Sequence, residues 1–272
     1  ISSLGQSVMR AGTMPFPMMA VNDAKAKHYY DNDGTGQSVW DGIMHTTNLI
    51  VAGKRWWWPG TAGAAPASPY GLGDGAEVIV TEIDPFKALD ATMNGFRVMK
   101  MEDAAMLGDL FVTSTGCRDV ITKDHSPDED NAILCNAGHF NVEVDVAWLE
   151  EHASETFQQR ENIMGYRLAD GRVLNVIADG RLVNLAAGNG HPAEIMDMSF
   201  AVQALSLEWM AKHAGQLEKK VYNVPEEIDD QIGRVKLAAM GLSIDTLTQE
   251  QEDYLAGWEA DRPPGGRVRR VG

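Results

Sequence analysis

The chain has 272 residues, of which 44% are hydrophobic and 23% charged, and its formal net charge is −16. This length and composition are those of a globular chain with a sizeable core, in one large domain or two modest ones, and they exclude wholesale disorder. The acidic balance leaves no basic face for a phosphate backbone, which argues against nucleic acid and anionic membranes as partners.

The first residues and the cysteines indicate where the protein works. The N-terminal sequence ISSLGQSVMRAG lacks the apolar region of a signal peptide, and no apolar run approaches the roughly 18 residues of a membrane span. The cysteines, Cys117 and Cys135, are too few for a disulfide framework and are not in metal-ligand spacing. We therefore expect a cytoplasmic protein without a metal site and, because residue 1 is not Met, a fragment of a longer chain.

From residue 78 onward, apolar strands alternate with helical segments, which predicts a parallel sheet covered by helices. Residues 77–84, EVIVTEID, form a continuous apolar run closed by acids, as in a buried parallel strand. Residues 85–95 begin with Pro85 and end in Gly95, which are the usual boundary signals of a helix. The other predicted elements are a short helix at 102–107, strands at 108–116 and 131–139, two short strands within 172–185, and amphipathic helices at 193–215 and 225–241.

Three of the predicted strands end in polar clusters, which are TEID, TSTG and NAGH. Ligands of open α/β sheets bind outside the carboxyl ends of the strands, so the three clusters should share one edge of the sheet. That edge is the predicted binding site.

Glu82 is the clearest cofactor signal in the sequence. It lies 22 residues after Gly60, close to the offset of about 20 at which an acidic residue binds the ribose hydroxyls of NAD. An acid there also repels a 2′-phosphate, so NAD is favoured over NADP. An acid at a strand end is more commonly a solvated or capping group, and this alternative stays open.

The segment before Glu82 does not fit this interpretation. A dinucleotide-binding unit needs a strand followed by G-x-G-x-x-G, whereas WWWPGTAGAAPASP, residues 56–69, is neither. Pro66 and Pro69 would break the helix whose N-terminus should bind the pyrophosphate.

The genetic code offers an explanation for this segment. Tryptophan has the single codon TGG, and the bases that encode WWWP, read one position earlier, encode Val-Val-Ala. In that frame the codons of GTAGAA also permit Gly-Tyr-Gly-Trp-Cys-Gly, which is G-x-G-x-x-G. We therefore hypothesise that residues 55–70 are an out-of-frame reading of a β-strand and phosphate loop, and we assign the three tryptophans no function.

Outside this window the chain contains, in order, the segments VNDAKAKHYYDNDGTGQSVWDGI, VIVTEIDPFKAL, FVTSTGCRDVI, LCNAGHFNVEVDV, DGRLVNLAAGNGHPAEIMDMSF and LTQEQEDYL. Together they resemble the S-adenosylhomocysteine hydrolase (adenosylhomocysteinase) family over almost the whole chain, to about residue 257. Several of these segments are long, so the resemblance is far more specific than any short motif.

The resemblance implies an α/β fold, namely a Rossmann-type doubly wound parallel sheet with flanking helices from a truncated substrate domain. It divides the chain into a remnant of the substrate-binding domain (1–35), an NAD-binding domain (36–186), C-terminal helices that complete the substrate domain (187–245) and a tail (246–272). It also implies a homo-oligomer, which is a tetramer in the family.

The reaction implied by the resemblance is the reversible hydrolysis of S-adenosyl-L-homocysteine to adenosine and L-homocysteine, a step of the methionine cycle. In the family, bound NAD⁺ oxidises the ribose 3′-hydroxyl to a ketone, which acidifies the C4′ proton. Homocysteine is then eliminated, water adds, and the ketone is reduced again, so the cofactor is regenerated in each turnover.

On the substrate side, the resemblance places Lys27 and Asp31 at the ribose hydroxyls, with Lys27 placed to assist removal of the 3′-hydroxyl proton. A lysine and an aspartate at this spacing are otherwise most often an exposed helical pair. His139 resembles the active-site histidine near the 3′ position, and His191 resembles the adenine-side histidine on a hinge. The plain alternatives are a strand-end histidine bonded to a loop and a helix-entry residue before Pro192.

On the cofactor side, the resemblance implies a row of NAD contacts along the sheet edge. Glu82 would bind the adenosine ribose with Lys87 nearby. Asn32 would lie at the nicotinamide end, and Ala137, Gly138 and Asn184 would lie near the nicotinamide. The Thr and Ser residues of the row are also explained as strand formers or turn residues. The full set is Asn32, Glu82, Lys87, Thr113, Ser114, Thr115, Ala137, Gly138, His139 and Asn184. We expect Cys117 and Cys135 to be packing residues rather than thiol catalysts.

Three departures from the family pattern bear on activity. The phosphate loop is unreadable, the amino-terminal domain that supplies another His, an Asp and a TTT segment is absent, and GWEADRPPGGRVRRVG replaces a basic, tyrosine-bearing tail. We therefore predict that this polypeptide is inactive alone, whereas its full-length, in-frame parent is a hydrolase. The alternatives are a non-catalytic NAD-binding homologue that binds partner proteins and a 2-hydroxyacid dehydrogenase, against which the DGRLVNL and GHP segments argue.

The frame hypothesis predicts a single-base discrepancy near the codon of Arg55 and a compensating one near residue 70. Sequencing the coding DNA in independent reads measures this directly. An intact frame in every read would contradict a sequencing error and leave only a frameshift in the gene itself.

Overall fold

The structure is a computed structural model that describes residues 8–12, 14–27, 32–59 and 75–256. The predicted catalytic Asp31, residues 60–70 of the frame-shifted window, residues 71–74 and the tail from residue 257 lie outside the described residues. All statements below refer to the described part of the chain.

The main sheet has eight strands and carries most of the core. The strands of the chain are β1 (Met18–Ala20), β2 (Arg55–Pro59), β3 (Glu77–Thr81), β4 (Arg97–Val98), β5 (Leu110–Thr113), β6 (Ile133–Asn136), β7 (Glu155–Arg160), β8 (Ile163–Arg167), β9 (Val173–Ile177) and β10 (Val221–Asn223). The order in the main sheet is β4-β3-β2-β5-β6-β9-β8-β7. The first six strands in this order are parallel, in the 3-2-1-4-5-6 arrangement of a dinucleotide-binding fold. The predicted α/β class with a parallel sheet is confirmed.

Helices flank this sheet and extend beyond it. They are α1 (Asn32–Thr47), α2 (Pro85–Met93), α3 (Met101–Ala105), α4 (Val146–His152), α5 (Val183–Ala186), α6 (Ala193–Lys212), α7 (Glu226–Ala239) and α8 (Gln249–Ala256). The predicted boundary signals of α2 are confirmed: Pro85 is its first residue, and the carboxylate of Asp84 accepts hydrogen bonds from the backbone N–H groups of Phe86 and Lys87.

The prediction for residues 172–185 is half wrong. The first of the two predicted strands is β9, but α5 replaces the second. Between them, Ala178 and Asp179 adopt positive φ angles of 53° and 55°, which turn the chain out of the sheet. The antiparallel hairpin β7–β8, which extends the sheet beyond β9, was not predicted from the sequence.

The tryptophan segment is a strand, contrary to the sequence-based prediction. Trp56, Trp57 and Trp58 are 4%, 0% and 3% exposed in β2, between β3 and β5. Trp57 faces one side of the sheet against Phe111, whereas Trp56 faces the other and stacks on Trp40 at 3.8 Å between ring centroids. Aromatic side chains suit a buried strand, which explains why the element forms despite its unusual composition.

The structure still bears a mark of the unusual sequence. Within the described residues, the indole Nε1 atoms of Trp56 and Trp57 are buried without a hydrogen-bond partner. A buried N–H without a partner destabilises the fold by about 1–3 kcal/mol, a cost that valine or alanine would not incur. The frame hypothesis therefore stays a prediction, although the strand itself is intact.

The residues before α1 pack against the C-terminal helices rather than against the main sheet. Strand β1 pairs with β10 in a separate two-stranded parallel sheet. Ala24 and Ala26 join Met198, Val202 and Ile232 in a separate apolar cluster. These contacts connect the two ends of the described chain, and the predicted domain limits remain a prediction.

Replacing Trp57 with Ala should lower the free energy of unfolding by about 3–5 kcal/mol, because the change leaves a cavity at a fully buried position of the central strand. Replacing Phe86, which is 81% exposed on α2, with Ala should change it by less than about 0.5 kcal/mol. Urea denaturation followed by circular dichroism measures both values. Equal losses in the two variants would contradict a central structural role for the tryptophan strand.

Candidate functional site

The carboxyl ends of the parallel strands form one edge, and a cleft opens there. Glu82 and Lys87, which follow β3, line this cleft together with Ser114 and Thr115, which follow β5. Strands β2 and β5, between which the strand order reverses, meet at this edge. Such a switch point is where open α/β sheets bind their ligands.

Glu82 is held in the turn between β3 and α2. Its Oε1 accepts hydrogen bonds from the backbone N–H groups of Ile83 at 2.8 Å and Asp84 at 3.1 Å. The side chain is half-buried beside the N-terminus of α2, where the helix dipole favours negative charge. Glu82 therefore has a local structural role of the kind left open by the sequence, and it also lines the cleft. Lys87, one turn into α2, is exposed.

Ser114 bridges the two strands that meet at the switch point. Its Oγ accepts a hydrogen bond from Trp58 Nε1 at 2.7 Å and donates one to the carbonyl oxygen of Pro59 at 3.3 Å. Thr113 is fully buried, and its hydroxyl donates to Asn136 Oδ1 at 3.1 Å. The side chain of Thr113 therefore lies in the protein interior and not in the cleft.

Asn136, at the end of β6, opens the NAGH cluster that the sequence places at the binding edge, but the sequence analysis gave it no role of its own. Its Nδ2 lies within hydrogen-bond distance of the carbonyl oxygens of Gly138, Phe140 and Gly180, at 3.2, 2.8 and 2.9 Å. Its Oδ1 accepts from the backbone N–H of Gly138 at 2.6 Å as well as from Thr113. This fully buried amide joins the ends of β5, β6 and β9. The available signal was a polar residue that closes an otherwise apolar strand.

Glu143 is a second residue that the sequence analysis missed. It is 1% exposed, and its carboxylate accepts hydrogen bonds from the N–H and hydroxyl of Thr115 and from the N–H of Gly116. The loop 137–140 lies against it, and within that loop Ala137 is half-buried and Gly138 buried. His139 is exposed, and its ring contacts Phe140 edge-on at 4.5 Å between centroids.

Asn184 lies on α5, which packs against α1. It is 4% exposed, and its Nδ2 donates to Ser38 Oγ at 3.1 Å. Within the described residues, Asn184 Oδ1 is buried without a hydrogen-bond partner. A buried unsatisfied acceptor of this kind fits a ligand that donates an N–H, such as a carboxamide.

His191 follows α5 and contacts the start of α1. Its Nε2 lies 3.1 Å from the hydroxyl oxygen of Thr35, and the side chain is half-buried. Lys27 is also half-buried, in a turn whose N–H donates to the carbonyl oxygen of Ala24. Asn32 is the first residue of α1. With Asp31 outside the described residues, the Lys27–Asp31 pair stays a prediction.

The two cysteines differ in environment. Cys135 lies fully buried in β6, and burial raises the pKa of its thiol, as expected of a packing residue. Cys117 is exposed in the loop after β5, so the predicted packing role is wrong for this residue, which the polar loop keeps outside the core. Across the described ranges, no helix is long and apolar enough to cross a membrane, and no group of three or more His, Cys, Asp or Glu side chains could hold a metal ion.

Comparison with known proteins identifies a matching domain. A family model described as S-adenosyl-L-homocysteine hydrolase, NAD binding domain, matches residues 31–190. The adenosylhomocysteinase of Aquifex aeolicus (strain VF5) is 52% identical over 263 residues, which cover 93% of this chain and 62% of that protein. The S-inosyl-L-homocysteine hydrolase of Methanosarcina mazei is 52% identical over 255 residues, which cover 91% of this chain and 60% of that protein. The chain therefore spans about three fifths of the length of these curated relatives.

Solved structures match less closely. The crystal structure of L-tryptophan dehydrogenase from Nostoc punctiforme aligns with 78% of this chain and 56% of that chain, with 11% sequence identity and a TM-score of 0.39. This likeness is too weak to support an inference about function.

Replacing Asn136 with Asp should lower the free energy of unfolding by about 3 kcal/mol or more, because a carboxylate would face three carbonyl oxygens in the protein interior. The matched control is Asn175→Asp in β9. Asn175 is also buried, but its amide donates a single hydrogen bond, of 3.3 Å, to the backbone carbonyl oxygen of Asn131, whereas the amide of Asn136 faces three carbonyl oxygens. Thermal denaturation of both variants measures the difference. A control that loses as much stability as Asn136→Asp would contradict the special position of Asn136.

Proposed function

The chain belongs to the S-adenosyl-L-homocysteine hydrolase family, and we propose that within its full-length parent it catalyses the NAD-dependent, reversible hydrolysis of S-adenosyl-L-homocysteine to adenosine and L-homocysteine. NAD is the cofactor of the matched domain. The observation that carries the proposal is the convergence of Glu82, Ser114 and Thr115 on one cleft at the switch point of the family's NAD-binding domain.

The residues at the edge suit NAD. When bound, NAD⁺ supplies a hydride acceptor for oxidation of the ribose 3′-hydroxyl. We assign Glu82 to the hydroxyls of the adenosine ribose, because its carboxylate lies at the strand end in the cleft. We assign Asn184 to the nicotinamide carboxamide, because its buried Oδ1 needs a donor.

The proposal assigns the proton transfers to the residues that would contact the substrate. Lys27 would hold the ribose and accept the 3′-hydroxyl proton, with Asp31 orienting it, and His139 would act near the same position. His139 is exposed at the carboxyl edge, where a substrate could reach it. His191 would contact the base, and its hydrogen bond to Thr35 connects that contact to the start of α1.

The identity of the base defines a second candidate function. A relative named S-inosyl-L-homocysteine hydrolase is as similar to this chain as one named adenosylhomocysteinase, at 52% identity each. S-inosyl-L-homocysteine is therefore a second candidate substrate, which differs from the first at the purine 6-position. A non-catalytic NAD-binding homologue remains the alternative outside enzymes. A cytoplasmic location and a homo-oligomer are further parts of the proposal.

Replacing Glu82 with Ala should weaken NAD⁺ binding to the purified chain about tenfold, a change of about 1.4 kcal/mol, because two ribose hydroxyls lose their acceptor. Glu77→Ala is the matched control, since Glu77 is an exposed glutamate at the opposite end of the same strand, where it pairs with Arg97. Isothermal titration calorimetry gives both dissociation constants. The cofactor assignment of Glu82 is contradicted if the two variants bind NAD⁺ equally well.

The purified 272-residue chain should release no nucleoside from S-adenosyl-L-homocysteine, whereas the full-length parent should release adenosine. Chromatographic assay of adenosine and inosine, with each thioether supplied in turn, tests both substrates. Turnover by the 272-residue chain would refute the proposed inactivity. Faster inosine release by the parent would favour the second candidate, and the absence of any release by the parent would favour the non-catalytic homologue.

A further inference from the structure

Glu143 is a buried acidic residue to which the proposed chemistry gives no role. It lies in the loop between β6 and α4, yet only 1% of its surface is exposed. Within the described residues it forms no ion pair with a lysine, arginine or histidine. A buried charge without a cationic partner is costly, so its presence calls for a compensating interaction.

The carboxylate holds the turn that follows β5. Its Oε2 accepts hydrogen bonds from Thr115 N at 2.9 Å and Thr115 Oγ1 at 2.8 Å, and its Oε1 accepts one from Gly116 N at 2.7 Å. All three partners are donors, which suits an ionised carboxylate because that group only accepts hydrogen bonds. The backbone of this turn is thereby oriented by a single side chain.

The same carboxylate packs against the loop that follows β6. A Cβ atom built on Gly138 would lie 1.8 Å from Glu143 Oε1, so no side chain fits at this position without displacing the carboxylate. The backbone carbonyl of Glu143 also accepts hydrogen bonds from the N–H groups of Val120 and Ile121, both at 2.9 Å. The carboxylate of Glu143 therefore lies between the loop that carries Thr115 and the loop that carries His139, and it contacts both.

We propose that Glu143 is a positioning residue for the cofactor, which orients both loops and places a negative charge beside the nicotinamide end of the site. This inference rests on the proposed NAD site, in which Gly138 and Asn184 lie near the nicotinamide. The oxidised nicotinamide ring is a cation and the reduced ring is neutral. A fixed, buried carboxylate nearby stabilises the oxidised ring selectively, because the attraction between charges is stronger away from water.

The test compares the binding of NAD⁺ and NADH to the purified chain by isothermal titration calorimetry. Glu143→Gln keeps the size of the side chain, removes the charge and turns one acceptor into a donor that faces an N–H group. Both nucleotides should bind more weakly to this variant, and the loss should be about tenfold larger for NAD⁺ than for NADH. Equal losses of affinity for NAD⁺ and NADH would overturn the inference. So would a variant that binds both nucleotides as tightly as the unmutated 272-residue chain does.

Two control variants separate charge from geometry. Thr115→Val removes the two hydrogen bonds of the hydroxyl, to Glu143 and from the N–H of Cys117, and leaves the carboxylate. It should therefore weaken NAD⁺ and NADH binding by the same factor. Glu155→Gln, in the exposed edge strand β7, should leave both affinities unchanged. A selective loss of NAD⁺ in either control would overturn the assignment to Glu143.

Folding of each variant is checked by its thermal denaturation midpoint. If Glu143→Gln does not fold, Thr115→Ser replaces it as the decisive variant. The serine hydroxyl should restore the affinity of the unmutated 272-residue chain for both nucleotides. Equal affinities of the Thr115→Ser and Thr115→Val variants would overturn the inference. If the unmutated 272-residue chain binds neither nucleotide, the proposed cofactor site itself is refuted, and the inference about Glu143 is refuted with it. Equal losses of NAD⁺ and NADH affinity in Glu143→Gln, with binding by the unmutated chain intact, overturn only the role of Glu143.

Discussion

The hydrogen bonds of Asn136 are the interaction on which the candidate site depends. Where parallel strands end, their backbone groups lose their ladder partners, and those that stay buried need other ones. Asn136 supplies partners to the loops after β6 and β9 and to the hydroxyl of Thr113 at the end of β5. One fully buried amide thus connects three strand ends, and the loops that carry the predicted site residues start from this fixed point.

The sequence was informative wherever the determinant of structure was local. Apolar runs closed by polar residues located β3, β5 and β6, and Pro85 marked the start of α2. The shared edge of the polar clusters followed from the rule for parallel sheets rather than from any single residue. Glu82 could be located in the same way, because its position after β3 and its offset from the glycine segment are both features of the linear sequence.

The sequence was less informative where residues far apart in the chain meet. Asn136 and Gly180 are 44 positions apart, and Thr115 and Glu143 are 28 apart, so no local pattern relates either pair. The prediction for the tryptophan segment was wrong because local composition was misleading: three tryptophans and a proline argued against a strand, yet residues 55–59 form β2. Its position between β3 and β5 determines its conformation. Trp40 stacks on Trp56, and Ser114 accepts a hydrogen bond from the indole of Trp58.

The hairpin β7–β8 has a consequence for solubility. Both outer strands of the main sheet are poor templates for another chain: β4 has two residues, and β7 contains an irregularity between Gln158 and Arg160 and is mostly exposed. Charged residues at both ends of β7, Glu155 and Arg160, further oppose the pairing of a neutral strand. The antiparallel extension therefore separates the apolar strand β9 from solvent and ends the sheet in a strand that resists edge-to-edge aggregation.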